Sequence, residues 1–294
     1  MVLIDVLQGS RALCAGFAGA LGLLVGSFLN VVIHRLPKIM EAEWRAECAE
    51  LAGESPPAPA PTYNLMTPRS ACPNCGAPIT ALQNIPVVSW LALRGRCARC
   101  RAPISARYPI VELVTGVLSA LVAWRFGCGW DGACALVITF TLIALTGIDL
   151  DTQLLPDSLT LPLLWLGLVA SAWLGRGEAP VPVDLRSAVL GAAFGYLSLW
   201  AVYHLFRLAT GKEGMGYGDF KLFAALGAWL GWQMLLPVIL LAAGSGALLG
   251  IALIVTRRHE RSVPIPFGPY LAIAGWLAMM WPQVLIAPWW RLAR

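Results

Sequence analysis

Charge is what this 294-residue chain has least of: 13% of its residues are Asp, Glu, Lys or Arg, 58% are hydrophobic, and the mean hydropathy is +0.71. An ordinary soluble domain carries about 25% charged residues, so that class is excluded. Histidine is scarcer still. The three present, His34, His204 and His259, are scattered, and the chain has neither a His-Glu-x-x-His nor a Gly-x-Ser-x-Gly sequence. Zinc-protease and serine-hydrolase chemistries therefore lack their signatures. The net charge of +5 is not a nucleic-acid footprint, because the basic residues are spread over several loops with no aromatic platform or binding motif.

What the chain has instead is long uncharged runs. Leu13–Ile33 is uncharged over 21 residues, close to the roughly 20 needed to cross about 30 Å of hydrocarbon. It exceeds the roughly 7–15-residue core of a signal peptide and reads as a retained span. Pro109–Trp124, with Glu112 inside its first turns, and the uncharged Gly132–Ile148, Ser158–Gly175 and Ser187–Phe206 are the next four spans. Leu222–Thr256 is uncharged for 35 residues, about 50 Å as a helix and too long for one crossing. It splits near Gly231-Trp232-Gln233 into a sixth span, short enough to be re-entrant, and a seventh. Pro266–Trp290 is the eighth, ending in Trp281, Trp289 and Trp290, residues suited to an interfacial belt. The pattern predicts an all-α polytopic membrane protein of about eight transmembrane helices.

With eight spans, alternate loops divide the 21 Lys and Arg residues fifteen to six. The richer side holds Arg35, Lys38, Arg45, Arg69, Arg94, Arg96, Arg99, Arg101, Arg107, Arg207, Lys212, Lys221, Arg257, Arg258 and Arg261. The poorer holds Arg11, Arg125, Arg176, Arg186, Arg291 and Arg294. The positive-inside bias places the richer loops in the cytoplasm and both termini outside.

The only long polar segment lies between the first two spans. It carries Cys72-Pro-Asn-Cys75 and, after 21 intervening residues, Cys97-Ala-Arg-Cys100. In a reducing compartment two CxxC knuckles read as a four-thiolate zinc site ahead of the alternative of two disulfides, although the gap between the knuckles is slightly longer than the commonest ribbon spacing. The prediction is a small zinc-ribbon-like cytoplasmic insertion ligated by Cys72, Cys75, Cys97 and Cys100. Arg96, Arg99 and Arg101 partly offset the charge of a zinc tetrathiolate. Cys14, Cys48, Cys128 and Cys134 have no such spacing. Ahead of the knuckles, Glu41–Glu50 reads as a short surface helix and Pro56–Pro61 as a semi-rigid linker.

Among sixteen acidic residues, four stand at membrane edges on the cytoplasmic side. Asp149 and Asp151 close the third span, Asp157 precedes the fourth as an N-cap candidate, and Asp219 opens the sixth in Gly216-Tyr-Gly-Asp219. Carboxylates at apolar helix ends usually face a bundle interior or a wet cavity. Two that meet share one proton, so one activates water while the other polarises or protonates a scissile carbonyl. A proton-coupled transporter would carry its acids nearer mid-membrane and would not need a zinc module. A non-catalytic assembly factor would have no use for a GxGD segment opposite a second aspartate.

The motifs as a set resemble the prepilin leader peptidase/N-methyltransferase family, the membrane aspartic peptidases of type IV pilus and type II secretion systems. The resemblance covers nearly the whole chain. Its carriers are Gly26-Ser-Phe-Leu-Asn-Val-Val-Ile-His-Arg-Leu-Pro37, both knuckles, Asn84-Ile-Pro-Val-Val-Ser-Trp90, Ser105-Ala-Arg-Tyr-Pro-Ile-Val-Glu112, Asp149-Leu-Asp-Thr-Gln-Leu-Leu-Pro-Asp157 and Gly216-Tyr-Gly-Asp219. It implies a catalytic pair of Asp149 and Asp219, with Asp151 the rival for the first place. It also implies prepilin or pseudopilin substrates cut after a glycine at the inner membrane of a bacterium, and N-methylation of the new N-terminal residue by S-adenosylmethionine. No glycine-rich strand–turn–helix marks a methyl-donor site, so its placement rests on family analogy alone. The organisation expected is a first transmembrane helix in residues 1–34, a cytoplasmic four-cysteine zinc module in 35–107 and a peptidase bundle in 108–294.

Overall fold

The computed structural model describes residues 7–53, 63–175, 181–256 and 266–286. The linker Pro56–Pro61, His259, Trp289, Trp290, Arg176, Arg257, Arg258, Arg261, Arg291 and Arg294 lie outside the described residues. Among the described residues the structure is almost entirely helical, and extended pairing is confined to two isolated bridges. The chain forms two compact units, Ser10–Trp124 and Arg125–Arg294 with Met1–Gly9.

The first unit is built on α1 (Arg11–Leu51), whose 41 residues start at Ser10, a hydroxyl N-cap that accepts from the Leu13 amide. The predicted span and the predicted surface helix are thus one rod of about 60 Å. The charges that bound the predicted span, and the interior Pro37, do not end the helix, which continues through them. α1 packs on α3 (Arg107–Phe126) through small residues. A Cβ on Gly22 would lie 2.4 Å from Ser119 Oγ, and one on Gly26 2.8 Å from the Glu112 Cα. Such residues let helix backbones approach where lipid gives no hydrophobic drive. Between these helices lie a 3₁₀ turn (Leu82–Asn84) and the short α2 (Val88–Ala92). The buried Glu112 accepts from the Val87 amide at 2.7 Å, and the buried Arg35 donates to the carbonyls of Asn64 and Pro68.

The second unit contains α4 (Trp130–Thr152), α5 (Asp157–Leu174), α6 (Leu185–Thr210), α7 (Tyr217–Leu230), a 3₁₀ turn (Trp232–Met234), α8 (Leu235–Val255) and α9 (Gly268–Met280). Among the described residues, six helices are long and apolar enough to cross a membrane: α1, α3, α4, α5, α6 and the segment Trp232–Ala252. Of the about eight spans expected, with the sixth allowed to be short, six are long apolar helices among the described residues, and the other two are represented there by α7 of 14 residues and α9 of 13. The break predicted near Gly231 is present, and Gly231 supplies it with a φ of +81° that a side chain would resist. The short sixth element does not face lipid. From Leu222 to Leu230 every residue of α7 is buried.

Glycines explain how α7 is enclosed. A Cβ on Gly191 of α6 would sit 2.1 Å from the Gly227 carbonyl oxygen, and one on Gly227 at 2.1 Å from the Gly191 oxygen. The two helices therefore meet backbone to backbone. The buried Trp229 donates its indole N–H to the Leu163 carbonyl of α5 at 2.8 Å. α9 is tied to α4 by Trp276 Nε1 donating to Thr139 Oγ1 at 3.1 Å, and Arg125 Nε donates to the Met280 carbonyl at its C-terminal end.

Candidate active site and metal centre

Asp149 sits in the last turn of α4 and Asp219 in the first turn of α7; they are 4% and 8% exposed. The fold brings them together closely enough for Asp219 to feel the charge of Asp149. Asp219 occupies the third position of α7, after the Gly216 N-cap, and its carboxylate accepts from the Gly216 amide while its own amide donates to the Gly216 carbonyl. This reciprocal arrangement is half of a capping box, with the glycine backbone standing in for the hydroxyl residue. Gly218 serves a different need, close approach: a Cβ there would lie 2.7 Å from the Leu155 Cβ.

Asp149 is less well satisfied. Its Oδ2 is buried without a hydrogen-bond partner, and the Gly268 backbone amide at the start of α9 faces the carboxylate as a donor. A buried acceptor left open in this way costs about 1–3 kcal/mol unless a proton or ligand meets it. The two carboxylates are thus buried and within electrostatic reach of each other, and Asp149 keeps one oxygen open to a proton or a ligand.

The remaining acids are placed elsewhere. Asp151 is exposed, as its offset of two residues, about 200° round the helix, requires when Asp149 points inward. Asp157 is not the N-cap of α5; that position belongs to Pro156. Asp157 instead receives both of its carboxylate contacts from Lys221 Nζ, at 2.7 and 2.6 Å. This bridge joins α5 to α7 two residues beyond Asp219. Lys221, Leu155 and Gly268 were not singled out from sequence. Gly268 had a signal, its flanking prolines in Pro266-Phe-Gly-Pro269, but nothing in the sequence pairs that turn with α4.

Cys72, Cys75, Cys97 and Cys100 converge, with their sulfur atoms all within 4.8 Å of one another. The Cys72 and Cys100 sulfurs are 3.8 Å apart. A tetrahedron with Zn–S bonds near 2.3 Å has edges of about 3.8 Å, so the donor set fits a structural zinc ion. The two knuckles are copies of one device, which the sequence reading passed over: each runs Cys-x-x-Cys-x-Ala-Pro-Ile. In the first, the Cys72 amide donates to Ala77 and the Ile79 amide to Ser70; in the second, the Cys97 amide donates to Ala102 and the Ile104 amide to Gly95. Each closes with a left-handed residue after its second cysteine, Gly76 at φ +66° and Arg101 at φ +60°.

The amides also prepare the thiols. Cys100 is lowered to about 6, first by the Ala102 amide and then by the Asn74 side chain. At Cys75 the Ala77 amide pulls downward, but burial and hydrogen bonding to Cys100, Cys72 and Cys97 outweigh it and push that thiol up to about 11.

Two family profiles match the chain. Residues 20–126 match the Bacterial Peptidase A24 N-terminal domain, and residues 136–251 match the Type IV leader peptidase family. A protein of Aeromonas salmonicida strain A449 named prepilin leader peptidase/N-methyltransferase is 55% identical over 282 residues, covering 95% of each chain. Proteins of the same name from Aeromonas hydrophila and Pseudomonas aeruginosa are 56% identical over 281 residues and 57% identical over 261 residues. The first alignment covers 95% of each chain; the second covers 89% of this chain and 88% of its relative. No solved structure matches.

Proposed function

The chain belongs to the type IV leader peptidase family, and we propose that it cuts the leader from type IV prepilins or type II secretion pseudopilins with Asp149 and Asp219 as the catalytic carboxylates. The observation that carries this reading is the burial of two carboxylates from different helices within electrostatic reach of each other, one of them with an open oxygen. One carboxylate takes the proton of an attacking water and the other donates to the carbonyl oxygen. After the tetrahedral intermediate forms, a proton passes to the leaving amine and the pair returns to its starting state. Burial limits competing water and strengthens each charge interaction.

The relatives' name includes N-methyltransferase. We extend that activity to this chain, with S-adenosylmethionine supplying the methyl group to the amine that cleavage exposes. Zinc on Cys72, Cys75, Cys97 and Cys100 would supply a cross-link between the two knuckles, because four thiolates leave no position open for water. The protein is read as an inner-membrane protein with the cysteine module and the carboxylate pair facing the cytoplasm. The fifteen-to-six distribution of Lys and Arg supports that orientation.

The test is cleavage of a prepilin by the purified enzyme, followed by mass for loss of the leader and gain of one methyl group. Asp149→Asn and Asp219→Asn keep shape but remove acid–base capacity, so each should lower cleavage by about a thousandfold or more. Asp151→Asn and Asp157→Asn should retain substantial cleavage, since one residue is exposed and the other sits in a surface ion pair worth about 0–1 kcal/mol. Normal cutting by Asp219→Asn would end the aspartic-peptidase reading. A dead Asp151→Asn beside an active Asp149→Asn would transfer the first role to Asp151.

A further inference from the structure

We propose that Gly268 is a positioning residue for cleavage: the absence of its side chain and the direction of its backbone amide set the orientation of the Asp149 carboxylate. The inference rests on Asp149 being one of the two catalytic carboxylates. Gly268 does not have the positive φ that would call for glycine. What it lacks is room. A Cβ would lie 2.6 Å from Asp149 Oδ2, 3.2 Å from Asp149 Cγ and 3.1 Å from Leu155 Cδ2. The nearest of these contacts is the buried oxygen that has no partner.

α9 has little freedom to retreat from such a conflict. Trp276 ties it to Thr139 of α4, and Gly275 lies so close to Leu226 of α7 that a Cβ would come within 2.5 Å of that side chain. The end of the Leu155 side chain can rotate away; the carboxylate, caught between α9 and its own helix, has to turn. A misplacement of about 1 Å at a reacting group commonly costs about a hundredfold in rate. The glycine amide supplies the complementary half, a fixed donor at a helix N-terminus directed at the same carboxylate.

A bland role competes. Gly268 precedes Pro269 within the first turn of α9, and a residue before proline is disfavoured in helical conformation unless it is glycine. Removing the proline separates the two roles, because the second position of a helix has no intrahelical use for an N–H. Full-length enzyme would be assayed for kcat and KM on a prepilin as Pro269→Ala, Gly268→Ala, the double variant and Asp149→Asn.

Pro269→Ala should stay within about threefold of the parent, while Gly268→Ala and the double variant should each lose about a hundredfold in kcat with KM changed less than about threefold. Recovery of kcat in the double variant would show that the glycine serves the backbone, and would overturn the proposal. Full activity of Gly268→Ala beside a dead Asp149→Asn would also overturn it, leaving the carboxylate pair intact. Normal cleavage by Asp149→Asn would remove the premise and overturn both readings.

Discussion

The four cysteines do not share one chemistry, although they share one cluster. Cys100, held down to about 6 by the Ala102 amide and Asn74, gives up its proton more readily than Cys75, which is pushed up to about 11. Zinc binding must therefore release protons, and its apparent affinity should rise with pH by about tenfold per unit for each proton displaced. The sign follows from Cys75: below about 11 its proton competes with the metal, and raising the pH removes that competitor. Zinc competition against a chromophoric chelator, repeated in several buffers near neutrality, measures the slope; a flat affinity would argue against ligation by thiolates. The residue pair Gly76 and Arg101 shows the same device under two local pressures. Both take the left-handed conformation, but only Gly76 does so without the steric cost an L side chain incurs.

At the scale of elements, the active-site geometry depends on how tightly α7 is held. Gly191 and Gly227 leave no space between α6 and α7, so Gly191→Val forces the helices apart at the point where each Cβ would stand 2.1 Å from a carbonyl oxygen. Overpacking of this kind costs about 1–3 kcal/mol. Because Asp219 rides on α7, the variant should lower the thermal midpoint and reduce cleavage together, measured on the purified protein by unfolding and by prepilin turnover. Unchanged cleavage would show that Asp219 is held by Asp157–Lys221 and Trp229 alone. The same helix marks the limit of what could be read beforehand. Charge gaps located nearly every helix, and the break at Gly231 was legible because a long run had to be divided. That α7 is enclosed was not, since a lipid-facing helix and one wrapped by neighbouring helices are equally apolar. The charge gap fell short in the other direction, because charges past Ile33 end an apolar run but not the α1 helix, which passes through them and through Pro37. The cysteine cluster was legible from spacing, and rarity of charge singled out four membrane-edge aspartates; the choice of Asp149 and Asp219 among them rested on the family resemblance. Gly268 and Leu155 were not, because their importance lies in contacts across 100 residues or more of sequence to Asp149 and across 63 to Gly218.

For the whole molecule, the two compact units and the two family profiles divide the chain along similar lines, with the cysteine cluster in Ser10–Trp124 and the carboxylate pair in Arg125–Arg294. Peptide hydrolysis needs paired acids; methyl transfer needs an unprotonated amine held in line with a sulfonium donor, and no acid–base pair is required of the same groups. The two activities should then separate. Asp219→Asn should retain methylation, within about threefold, of a prepared peptide that already begins at the mature N-terminal residue, while its cleavage of full prepilin falls by orders of magnitude. Replacement of Cys72 and Cys75 by serine should lower zinc content and destabilise the knuckles, whose sulfurs no longer complete a tetrahedron. The assay is mass spectrometry of the prepared peptide after incubation with S-adenosylmethionine, with a thermal midpoint close to the parent's confirming that the Asp219→Asn protein is folded. Loss of methylation in that folded variant would show that both reactions draw on the carboxylate pair. Retention of it would show that the second reaction proceeds on groups of its own and requires from the first only the free amine.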